Sequence, residues 1–422
     1  MSEWKEVEFG KIPADWGFDT IDSLKADMPR SIAMGPFGSN IKAENFVDSG
    51  VPVIRGTNLN DFKYVSGQFV YLTEEKANDL KSSNCVPGDL VFTHRGTIGQ
   101  VGLIPRNKYP KYVISQSGMK LSVDRDKIDN EFLFYFFVSK YGQFQLLKFE
   151  SQVGVPSISN PLTSLKSIEV PVPPLTEQRA IASVLSSLDD KIDLLHRQNQ
   201  TLEQMAETLF RQWFVEEADD GWEFTSLENF VTCFNGVSYK SADLNPSDTA
   251  MITLKSFARD GGFRLDGFKE YTGKYKEQHI VNEGELVVAH TDITQDAALI
   301  GNPIMVIGRR EYKTLLISMD LVKVVSNCEW LSKEFLYYQM KSRDFKQHCL
   351  GYSNGSTVLH LSKQAVPSYE FFLPPKELIA DFTNQVKPLI EKSNKNIKHI
   401  RNLEEIRDTL LPKLMSRKVK VG

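Results

Sequence analysis

Residues 173–215 read PPLTEQRAIASVLSSLDDKIDLLHRQNQTLEQMAETLFRQWFV, and much of the architecture follows from this stretch. Thr176 comes after two prolines and predicts a helix N-cap, with Glu177 in the first turn, where the helix dipole favours a negative charge. From Ile181 onward, apolar residues recur at alternating steps of four and three, which is typical of a coiled-coil seam. We therefore predict one helix over 176–215, about 60 Å long at about 1.5 Å per residue. Its seam comprises Ile181, Leu185, Leu188, Ile192, Leu195, Asn199, Leu202, Ala206, Leu209 and Trp213.

A second seam lies near the end of the sequence. It comprises Ile379, Phe382, Val386, Leu389, Ser393, Asn396, Ile400, Leu403, Arg407, Leu410 and Leu414. Pro388 is expected to kink this helix and Pro412 to end or bend it, because proline lacks the amide donor and its ring clashes with the preceding turn.

The two seams can be aligned antiparallel. Placing Asn199 opposite Asn396 allows the two amides to pair and fix the register. The same alignment sets Leu185 against Leu410, Ile192 against Leu403 and Leu195 against Ile400. The alternative is that both asparagines face water at the edge of a bundle. In either case the apolar stripe is core or partner interface and not a cofactor site.

The chain also repeats itself at an interval of about 200 residues. Residues 86–92 (VPGDLVF) return in form as 282–288 (NEGELVV), and residues 130–135 (NEFLFY) return as 333–338 (KEFLYY). Residues 172–174 (VPP) return as 373–375 (LPP). Because the three pairs occur in the same order, we predict a duplicated unit in which a globular part is followed by a long helix.

The globular parts are predicted to be mixed, with strands dominating. Short β-branched runs between glycine, proline and asparagine turns predict strands. They lie at 51–54, 90–93, 101–105, 120–123, 285–289 and 304–307. Residues 130–145 and 331–347 each predict one amphipathic helix. The predicted class is α+β: two mixed α/β domains separated by two long helices in an antiparallel coiled coil, with a pseudo-twofold duplicated architecture.

Composition limits the class of protein. The chain has 422 residues, of which 41% are hydrophobic and 25% charged, so two or three folded domains are expected. Its longest apolar run, 132–138, is far shorter than the roughly 20 residues that span a bilayer. Residues 1–10 do not resemble a signal peptide. The four cysteines show no CxxC spacing, which predicts a soluble cytoplasmic protein without structural zinc.

Charge is distributed unevenly along the chain. The net charge of −4 does not indicate a nucleic-acid binder. However, residues 86–125 hold six Lys or Arg against two Asp or Glu, a local +4, and residues 255–276 hold six against three, a local +3. Residues 176–217 hold four against eight, a local −4. The alternative is that these runs are ordinary solvated faces.

Three motifs identify a family resemblance. Residues 173–179 (PPLTEQR) with the following seam, 209–215 (LFRQWFV) and 406–416 (IRDTLLPKLMS) resemble the helical regions of specificity (S) subunits of type I restriction–modification systems, the HsdS family. The resemblance covers essentially the whole chain. It implies a first target-recognition domain over 1–172, a central long helix over 173–216, a second target-recognition domain over 217–373 and a C-terminal long helix over 374–422.

The resemblance also implies a function and partners. Such a subunit has no catalytic centre, and each recognition domain reads one half of a bipartite site in double-stranded DNA. The helices set the spacer and dock two methyltransferase (M) subunits, which methylate adenine at N6, and two motor-nuclease (R) subunits join for cleavage. No cofactor is expected in this chain, because S-adenosylmethionine and ATP belong to the partner subunits.

The coiled coil and the M-subunit interface are expected to use seam residues and one aromatic neighbour. They are Leu185, Leu188, Ile192, Leu195, Asn199, Leu202, Leu209, Trp213, Phe214, Asn396, Ile400, Leu403 and Leu410.

Motifs of enzymes are missing from the sequence. An amino-methyltransferase carries Asn/Asp-Pro-Pro-aromatic, and the nearest string, 159–162 (SNPL), lacks it. Gly96, Gly99 and Gly102 do not form GxGxxG, there is no GxxxxGK[ST], and the seven histidines show no HExxH. The sequence therefore predicts a non-enzyme without a metal site, although a Ser/His/Asp triad is not excluded by sequence.

Candidate base-contacting residues of the first domain lie in loops after predicted strands. Arg55 and Arg95 suit guanine or phosphate, while Asn40, Asn58 and Gln116 suit adenine. Thr57, His94 and Thr97 complete the first-domain set. The alternative is that these polar groups cap turns and hold the sheet together.

The second domain offers a matching but different set. Its candidates are Tyr239, Lys240, Lys255, Ser256, His290, Thr291 and Thr294. Lys255 stands near the position of Arg55, and residues 291–292 (TD) stand near the position of 94–95 (HR). Such differences are expected if the two halves read different bases. Basic residues expected at phosphates or on plain surface are Lys274, Lys276, Arg309 and Arg310.

Two other functions fit the sequence. The chain could serve a modification-only methyltransferase, or it could be a structural coiled-coil scaffold without DNA contact. The basic segments and the polar loops argue against the scaffold.

Overall fold

In the computed structural model, the described residues are 4–7, 10–59, 63–151, 154–259, 261–294, 296–355 and 358–421. The chain forms two compact units. The first unit comprises residues 1–195 and 402–422, and the second unit comprises residues 196–401. Each unit thus contains one globular part and a portion of each long helix.

Helices are distributed over both units. Their bounds are α1 Ile21–Leu24, α2 Glu74–Asp79, α3 Asn130–Val138, α4 Lys140–Leu147, α5 Pro161–Lys166, α6 Leu175–Arg211, α7 Lys333–Lys341, α8 Arg343–Gly351 and α9 Lys376–Leu414. A π-helical turn, Gln212–Glu216, follows α6.

Strands are short throughout. Those of the first unit are β1 Trp4–Val7, β2 Gly10–Pro13, β3 Gly17–Thr20, β4 Ile32–Met34, β5 Phe46–Val47, β6 Val51–Ile54, β7 Val70–Leu72, β8 Asn84–Cys85, β9 Leu90–Thr93, β10 Val101–Leu103, β11 Tyr112–Ile114, β12 Gly118–Leu121, β13 Glu150–Ser151, β14 Ser157–Ile158 and β15 Glu169–Val172. Those of the second unit are β16 Glu223–Ser226, β17 Val231–Asn235, β18 Thr249–Ile252, β19 Lys269–Glu270, β20 Leu286–Ala289, β21 Thr291–Asp292, β22 Pro303–Met305, β23 Thr314–Ile317, β24 Leu321–Ser326, β25 Ser353–Asn354, β26 Leu359–Leu361 and β27 Glu370–Leu373.

The two units repeat the same sheet topology. In the first unit a four-stranded antiparallel sheet has the order β10-β9-β12-β4, and in the second unit the order is β22-β20-β24-β17. Beside it, β6 pairs in parallel with β11, as β18 pairs in parallel with β23. The duplication predicted from three short sequence pairs is therefore present in the topology of both units, and the mixed α+β class is confirmed.

The turn before the central strand is built alike in both units. Asp89 accepts a hydrogen bond from the Val86 amide at 2.9 Å, and Glu285 accepts one from the Asn282 amide at 2.6 Å. Each carboxylate closes the turn that leads into β9 or β20, which explains why residues 86–92 and 282–288 are alike in form.

Each predicted amphipathic helix is in fact a pair of helices. The sequence predicts one helix over 130–145, but α3 ends at Val138 and α4 begins at Lys140. Ser139 between them is extended, with φ −67° and ψ 156°, and its hydroxyl accepts a hydrogen bond from the Gly142 amide. Ser342 makes the same break between α7 and α8. The prediction was wrong at both places because a serine that caps a new helix terminates the preceding one.

Both long helices are continuous. The seam residues of α6 and α9 are all buried or half-buried, as the heptad pattern predicts. Pro388 lies inside α9 without interrupting it, and Pro412 lies two residues before its end at Leu414. The end of α9 lies two residues after Pro412, where the sequence predicts an end or a bend, and α9 continues through Pro388, where the sequence predicts a kink.

The N-terminal half of α6 and the C-terminal end of α9 belong to the core of the first unit. Ile181 and Leu185 of α6 are buried in the same cluster as Phe92, Phe132 and Leu414, and Leu410 packs against that cluster. Since full burial of such a side chain contributes about 1.5–3 kcal/mol, the helices are integral to this unit.

The other ends of the same helices belong to the core of the second unit. Ala206 and Phe210 of α6 share a cluster with Ile379, Phe382 and Val386 of α9. The opposite ends of the two helices thus share a core in each unit, which is the antiparallel arrangement predicted from the seams. Among the described residues, no helix is both long and apolar enough to cross a membrane.

Candidate functional site

Four loops of the first unit meet at one end of its strands. They follow β4, β6, β9 and β11 and include most of the candidate base-contacting residues. The Ser115 amide donates to the Ile54 carbonyl at 2.8 Å, and the His94 amide donates to the Ser117 carbonyl at 2.9 Å. Backbone hydrogen bonds therefore hold the loops after β6, β9 and β11 as one surface, which we call the first loop surface.

The loop after β4 joins the first loop surface through a close backbone approach. A Cβ atom built on Gly35 would lie 1.9 Å from the Ser115 carbonyl oxygen. Only glycine fits this position, so Gly35 brings residues 35–40 against residues 115–117.

Most first-unit candidates are available on this surface. The exposed ones are Asn40, Arg55, Thr57, Arg95, Thr97 and Gln116. Exposed amide groups can donate and accept at base edges, whereas guanidinium groups only donate there, and the two arginines can also contact phosphate.

The structure corrects the prediction that Asn58 contacts a base. Its side chain is fully buried, Oδ1 accepts from the Arg55 amide at 3.0 Å, and Nδ2 donates to the carbonyls of Ser66 and Gln68 at 2.9 Å each. With both donor hydrogens and an acceptor position used inside the protein, Asn58 holds the turn after β6 and is not available to a base in this conformation.

The structure also corrects the prediction for His94. Its ring is buried, and Nε2 donates to the Gln116 carbonyl at 3.1 Å. Burial lowers the pKa of His94 below its ordinary value, which favours the neutral ring. His94 therefore orients the backbone of Gln116, whose side chain remains exposed.

Two features of the first loop surface were missed from the sequence. Phe37 is 71% exposed within the loop that carries Asn40, an arrangement suited to apolar contact with a base. The hairpin β13–β14 adds Ser157 beside Arg95, and the Gly96 amide donates to the Pro156 carbonyl at 2.9 Å. The hairpin could not be recognised in the sequence, because each of its strands has only two residues. Phe37 could have been recognised, because it is an apolar residue in a glycine- and asparagine-rich loop.

The second unit repeats the arrangement with other residues. The Ser318 amide donates to the Ile252 carbonyl at 3.0 Å, and the His290 amide donates to the Asp320 carbonyl at 2.8 Å. A Cβ atom on Gly236 would lie 2.1 Å from the Ser318 carbonyl oxygen, which repeats the approach of Gly35. We call the loops after β17, β18, β20 and β23 the second loop surface.

Lys240 and Lys255 are exposed on the second loop surface. Tyr239 is half-buried, and its hydroxyl accepts a hydrogen bond from Lys269 at 3.0 Å. The Lys269 ammonium also lies 5.1 Å from the centre of the Tyr239 ring. Lys240 and Lys255 therefore place positive charge on this surface.

In the second unit, the structure corrects the predictions for Ser256 and Thr291. Both are buried, and Thr291 Oγ1 donates to the Asp320 carboxylate at 2.9 Å. The Ser256 hydroxyl has no hydrogen-bond partner among the described residues, but it is fully enclosed. Neither side chain is available to a base in this conformation.

The structure also corrects the prediction for Thr294, whose amide and hydroxyl bind the buried carboxylate of Asp292. Asp292 accepts from the Thr294 hydroxyl and amide, each at 2.7 Å, and from the amides of Leu299 and Ile300 at 2.5 and 2.8 Å. Burial raises the pKa of Asp292, but these hydrogen bonds outweigh it and hold the pKa below the ordinary value. The Asp-x-Thr spacing was a usable signal for such a turn.

The basic residues expected near phosphates differ in exposure and in hydrogen-bond partners. Lys274, Lys276 and Arg310 are exposed. Arg309 donates to the Glu311 carboxylate and to the Leu265 carbonyl, so its charge is neutralised locally.

Polar contacts attach the globular part of the first unit to the long helices. Asp189 of α6 accepts from the Tyr135 hydroxyl at 2.6 Å and from the Arg407 guanidinium of α9 at 2.9 Å. Lys63 pairs with Asp190 at 2.8 Å. Burial alone would lower the pKa of Lys63, but the neighbouring carboxylates hold it above the ordinary value.

The motif at 173–179 has a structural role in the same unit. Gln178 is fully buried, its Oε1 accepts from the Asp129 amide at 2.7 Å, and its Nε2 donates to the Pro173 carbonyl at 2.8 Å. Gln178 thereby ties the start of α6 to the start of α3.

In the second unit the helices carry the predicted asparagine pair. Asn396 Nδ2 donates to Asn199 Oδ1 at 2.8 Å, and Asn396 is buried. Lys341 of α7 pairs with Glu203 at 2.5 Å and Glu207 at 2.7 Å, which attaches α7 to α6.

No group of three or more His, Cys, Asp or Glu suited to a metal ion occurs in the described part of the chain. Its four cysteines are free.

Comparisons with known proteins agree with this architecture. A family model for the type I restriction modification DNA specificity domain matches residues 38–204. The specificity subunit of the type I restriction enzyme MjaIX from Methanocaldococcus jannaschii is 25% identical, with 100% of this chain and 97% of that protein covered. The specificity subunit of the type I restriction enzyme HindI from Haemophilus influenzae is 23% identical, with 99% of each covered.

A solved structure has a similar fold. The crystal structure of the S subunit of a type I restriction–modification system from M. genitalium gives a TM-score of 0.60 at 18% identity, covering 95% of this chain and 96% of that chain. This likeness concerns the fold.

Proposed function

Because the chain belongs to the family of type I restriction–modification specificity subunits, we propose that it is the non-catalytic subunit that selects the DNA sequence for such a complex. In this proposal each loop surface reads one half of a bipartite site. The first reads through Asn40, Arg55, Arg95 and Gln116, and the second through Lys240, Lys255 and their neighbours.

One observation carries the proposal. The same four strand ends present polar loops in both units, joined by equivalent backbone hydrogen bonds, while the exposed side chains differ. A repeated scaffold with different side chains is what reading two unlike half-sites requires, because scaffold contacts fix position and side chains specify bases.

The long helices are proposed to set the spacer between the half-sites. Half-sites about one DNA turn apart require contacts about 34–36 Å apart. Helix α6 has 37 residues and α9 has 39, so each is about 55–60 Å long and long enough to serve as a ruler.

The helices and their seam neighbours are also proposed to dock two M subunits, and two R subunits are proposed to join for cleavage. S-adenosylmethionine and ATP act on those partner subunits. Exposed apolar side chains on α6, such as Leu194 and Met205, support a helical docking surface because they do not contribute to the core of either unit.

Expression of this chain with the M subunit of its own system in a methylation-free host tests the proposal. Genome-wide mapping of modified bases by long-read sequencing is expected to give N6-methyladenine in a bipartite motif with a fixed unspecified gap. The control is the M subunit expressed alone, which should leave the genome unmodified.

Other outcomes have clear meanings. A stable complex of the two chains without methylation would contradict sequence selection and support a structural scaffold. A bipartite methylation motif, in a system that restricts no unmethylated DNA carrying that motif, would identify a modification-only system.

A further inference from the structure

The second loop surface exposes two large apolar side chains that have no role in the proposed function. Met319 lies in the loop after β23 and is 52% exposed, and Ile293 lies in the loop after β20 and is 69% exposed. Among the large apolar side chains of the described residues, only Phe37 of the first loop surface is more exposed than Ile293. Covering apolar area that contacts water lowers the free energy, so two such side chains on one surface indicate an apolar contact with the ligand.

Met319 lies where the loops of this surface meet. Its amide donates to the Val237 carbonyl of the loop after β17 at 2.9 Å. The next residue, Asp320, accepts from the His290 amide at 2.8 Å with its carbonyl and from the Thr291 hydroxyl at 2.9 Å with its carboxylate. Hydrogen bonds to two neighbouring loops therefore fix the backbone at Met319, while its side chain remains exposed.

Ile293 lies at the tip of a turn that its neighbours close. Asp292 accepts hydrogen bonds from the amide and the hydroxyl of Thr294, each at 2.7 Å. A hydrogen bond between the residues on either side places Ile293 at the centre of the turn. Asp292 is also held by the amides of Leu299 and Ile300, so the turn is anchored to the interior and the Ile293 side chain is presented outward.

The first unit has polar residues at the equivalent positions. In the loop after β11 or β23, a serine amide donates to the end of β6 or β18, and the next residue is Gln116 in the first unit and Met319 in the second. The loop after β9 or β20 begins with a histidine whose amide donates to the loop after β11 or β23, and the third residue after it is Thr97 or Ile293. The same scaffold therefore presents hydrogen-bonding side chains in the first unit and apolar ones in the second, which changes the base feature that can be read. The equivalent pairs are Gln116 and Met319, His94 and His290, and Thr97 and Ile293.

The chemistry of the DNA groove selects one contact for these side chains. The major groove displays hydrogen-bonding groups on every base pair, and the methyl group that it displays is that at C5 of thymine. Lys240 and Lys255 are exposed on the same surface, and their charge suits the phosphates that flank a groove. On the basis of the proposed function, we propose that Met319 and Ile293 read thymine in the second half-site, each by packing against the 5-methyl group of one thymine. Gln116, at the place of Met319, suits adenine instead, so the exchange changes the base that this position of the scaffold reads.

Removal of the methyl group alone tests the proposal. Binding is measured for the complex with the M subunit, by competition with duplexes in which one thymine of the mapped motif at a time is replaced by deoxyuridine. Deoxyuridine lacks only the 5-methyl group and keeps the base pairing of thymine. At each contacted thymine of the second half-site, the wild type should bind the deoxyuridine duplex about fourfold more weakly, because burial of one methyl-sized group contributes about that factor.

Two variants assign the effect to the two side chains. Met319→Gln introduces the first-unit residue at nearly the same side-chain length, and Ile293→Ser removes the branched apolar side chain. Each variant should bind the thymine duplex about fourfold more weakly and show no further loss with deoxyuridine at the position that it reads, because the contact is already absent. Deoxyuridine in the first half-site should have the same effect on both variants as on the wild type.

Controls separate this contact from a general effect on the protein. Both variants should melt at the temperature of the wild type, because Met319 and Ile293 are exposed. Met28→Gln is the matched control, since Met28 is 48% exposed and precedes β4, whereas the first loop surface follows that strand. It should bind every duplex as the wild type does.

Several outcomes would overturn the inference. They include a second half-site without thymine, and equal binding of thymine and deoxyuridine duplexes by the wild type throughout that half-site. A loss of affinity in both variants that is the same for thymine and deoxyuridine, with reduced bending of the DNA, would identify an apolar wedge between base pairs instead. If the wild type methylates no bipartite motif, the proposed function fails and this inference with it. A bipartite motif without any deoxyuridine effect leaves the proposed function intact and refutes this inference alone.

Discussion

Asn396 Nδ2 donates a 2.8 Å hydrogen bond to Oδ1 of Asn199, so the seam residues of α6 and α9 meet through an amide pair. Asn199 Nδ2 also lies 3.4 Å from the Ser393 carbonyl. A buried amide pair contributes little net stability but penalises any register that separates its members.

Replacing one member of this pair is expected to destabilise the chain. Asn199→Leu leaves the buried Asn396 amide without its acceptor and should cost about 1–3 kcal/mol. The double variant, Asn199→Leu with Asn396→Leu, should recover most of this loss, because no polar group is then left unpaired. Urea unfolding followed by tryptophan fluorescence measures the stability of both variants, and a double variant no more stable than Asn199→Leu would contradict the pairing.

Asp189 should be important for attaching the globular part of the first unit to both helices. Asp189→Ala removes the acceptor of the buried Tyr135 hydroxyl and of the Arg407 guanidinium, and should cost about 2–3 kcal/mol. The readout is the unfolding midpoint. Lys191→Ala, at an exposed position of the same helix, is the control and should change the midpoint little.

Asp292 should make the free energy of unfolding depend on pH in the acid range. Its folded pKa lies below the ordinary value, so its contribution is present above about pH 4 and is lost as the pH falls through the folded pKa. Asp292→Asn should therefore be less stable than the wild type at pH 7, with a smaller difference at pH 3. Asp296 is exposed, so Asp296→Asn serves as the control. An equal difference at both pH values would exclude the carboxylate as the cause.

Arg95→Ala should weaken recognition of the first half-site only. The Arg95 side chain is exposed, so the variant should fold normally, and loss of a base contact costs about 1–3 kcal/mol of binding. Methylation mapping would show relaxed sequence preference at one position. Arg106→Ala, exposed in the same unit, is the matched control. An unchanged motif and affinity would remove Arg95 from the interface.

A matched heptad insertion tests the ruler. Seven residues inserted after Gln200 in α6 and seven after Lys395 in α9 keep the antiparallel seam in register and lengthen each helix by about 10 Å. The unspecified gap should lengthen by at most about three base pairs, since base pairs are about 3.4 Å apart, while both half-sites stay the same. A single-helix insertion is the control and should disrupt assembly. An altered half-site would contradict the ruler.

The sequence alone was sufficient where a property is local or periodic. The heptad pattern gave the two helices, their antiparallel register and the Asn199–Asn396 pair, because side chains at steps of three and four necessarily share one helix face. Three short repeats gave the duplication, and strand ends gave the loops that carry Arg55 and Arg95. Ser139 and Ser342 misled the local pattern, since a cap overrides an amphipathic period.

Tertiary structure alone decided which polar side chains remain available. Asn58 and Arg55 lie in one loop and are both polar, yet Asn58 is enclosed by the carbonyls of Ser66 and Gln68 while Arg55 is exposed. Likewise, His94 and His290 are the same residue at the same place in the repeat, and only their neighbours make one satisfied and the other unpaired. Exposure and pairing depend on segments distant in sequence that fold against a loop, and no local pattern records which segments those are.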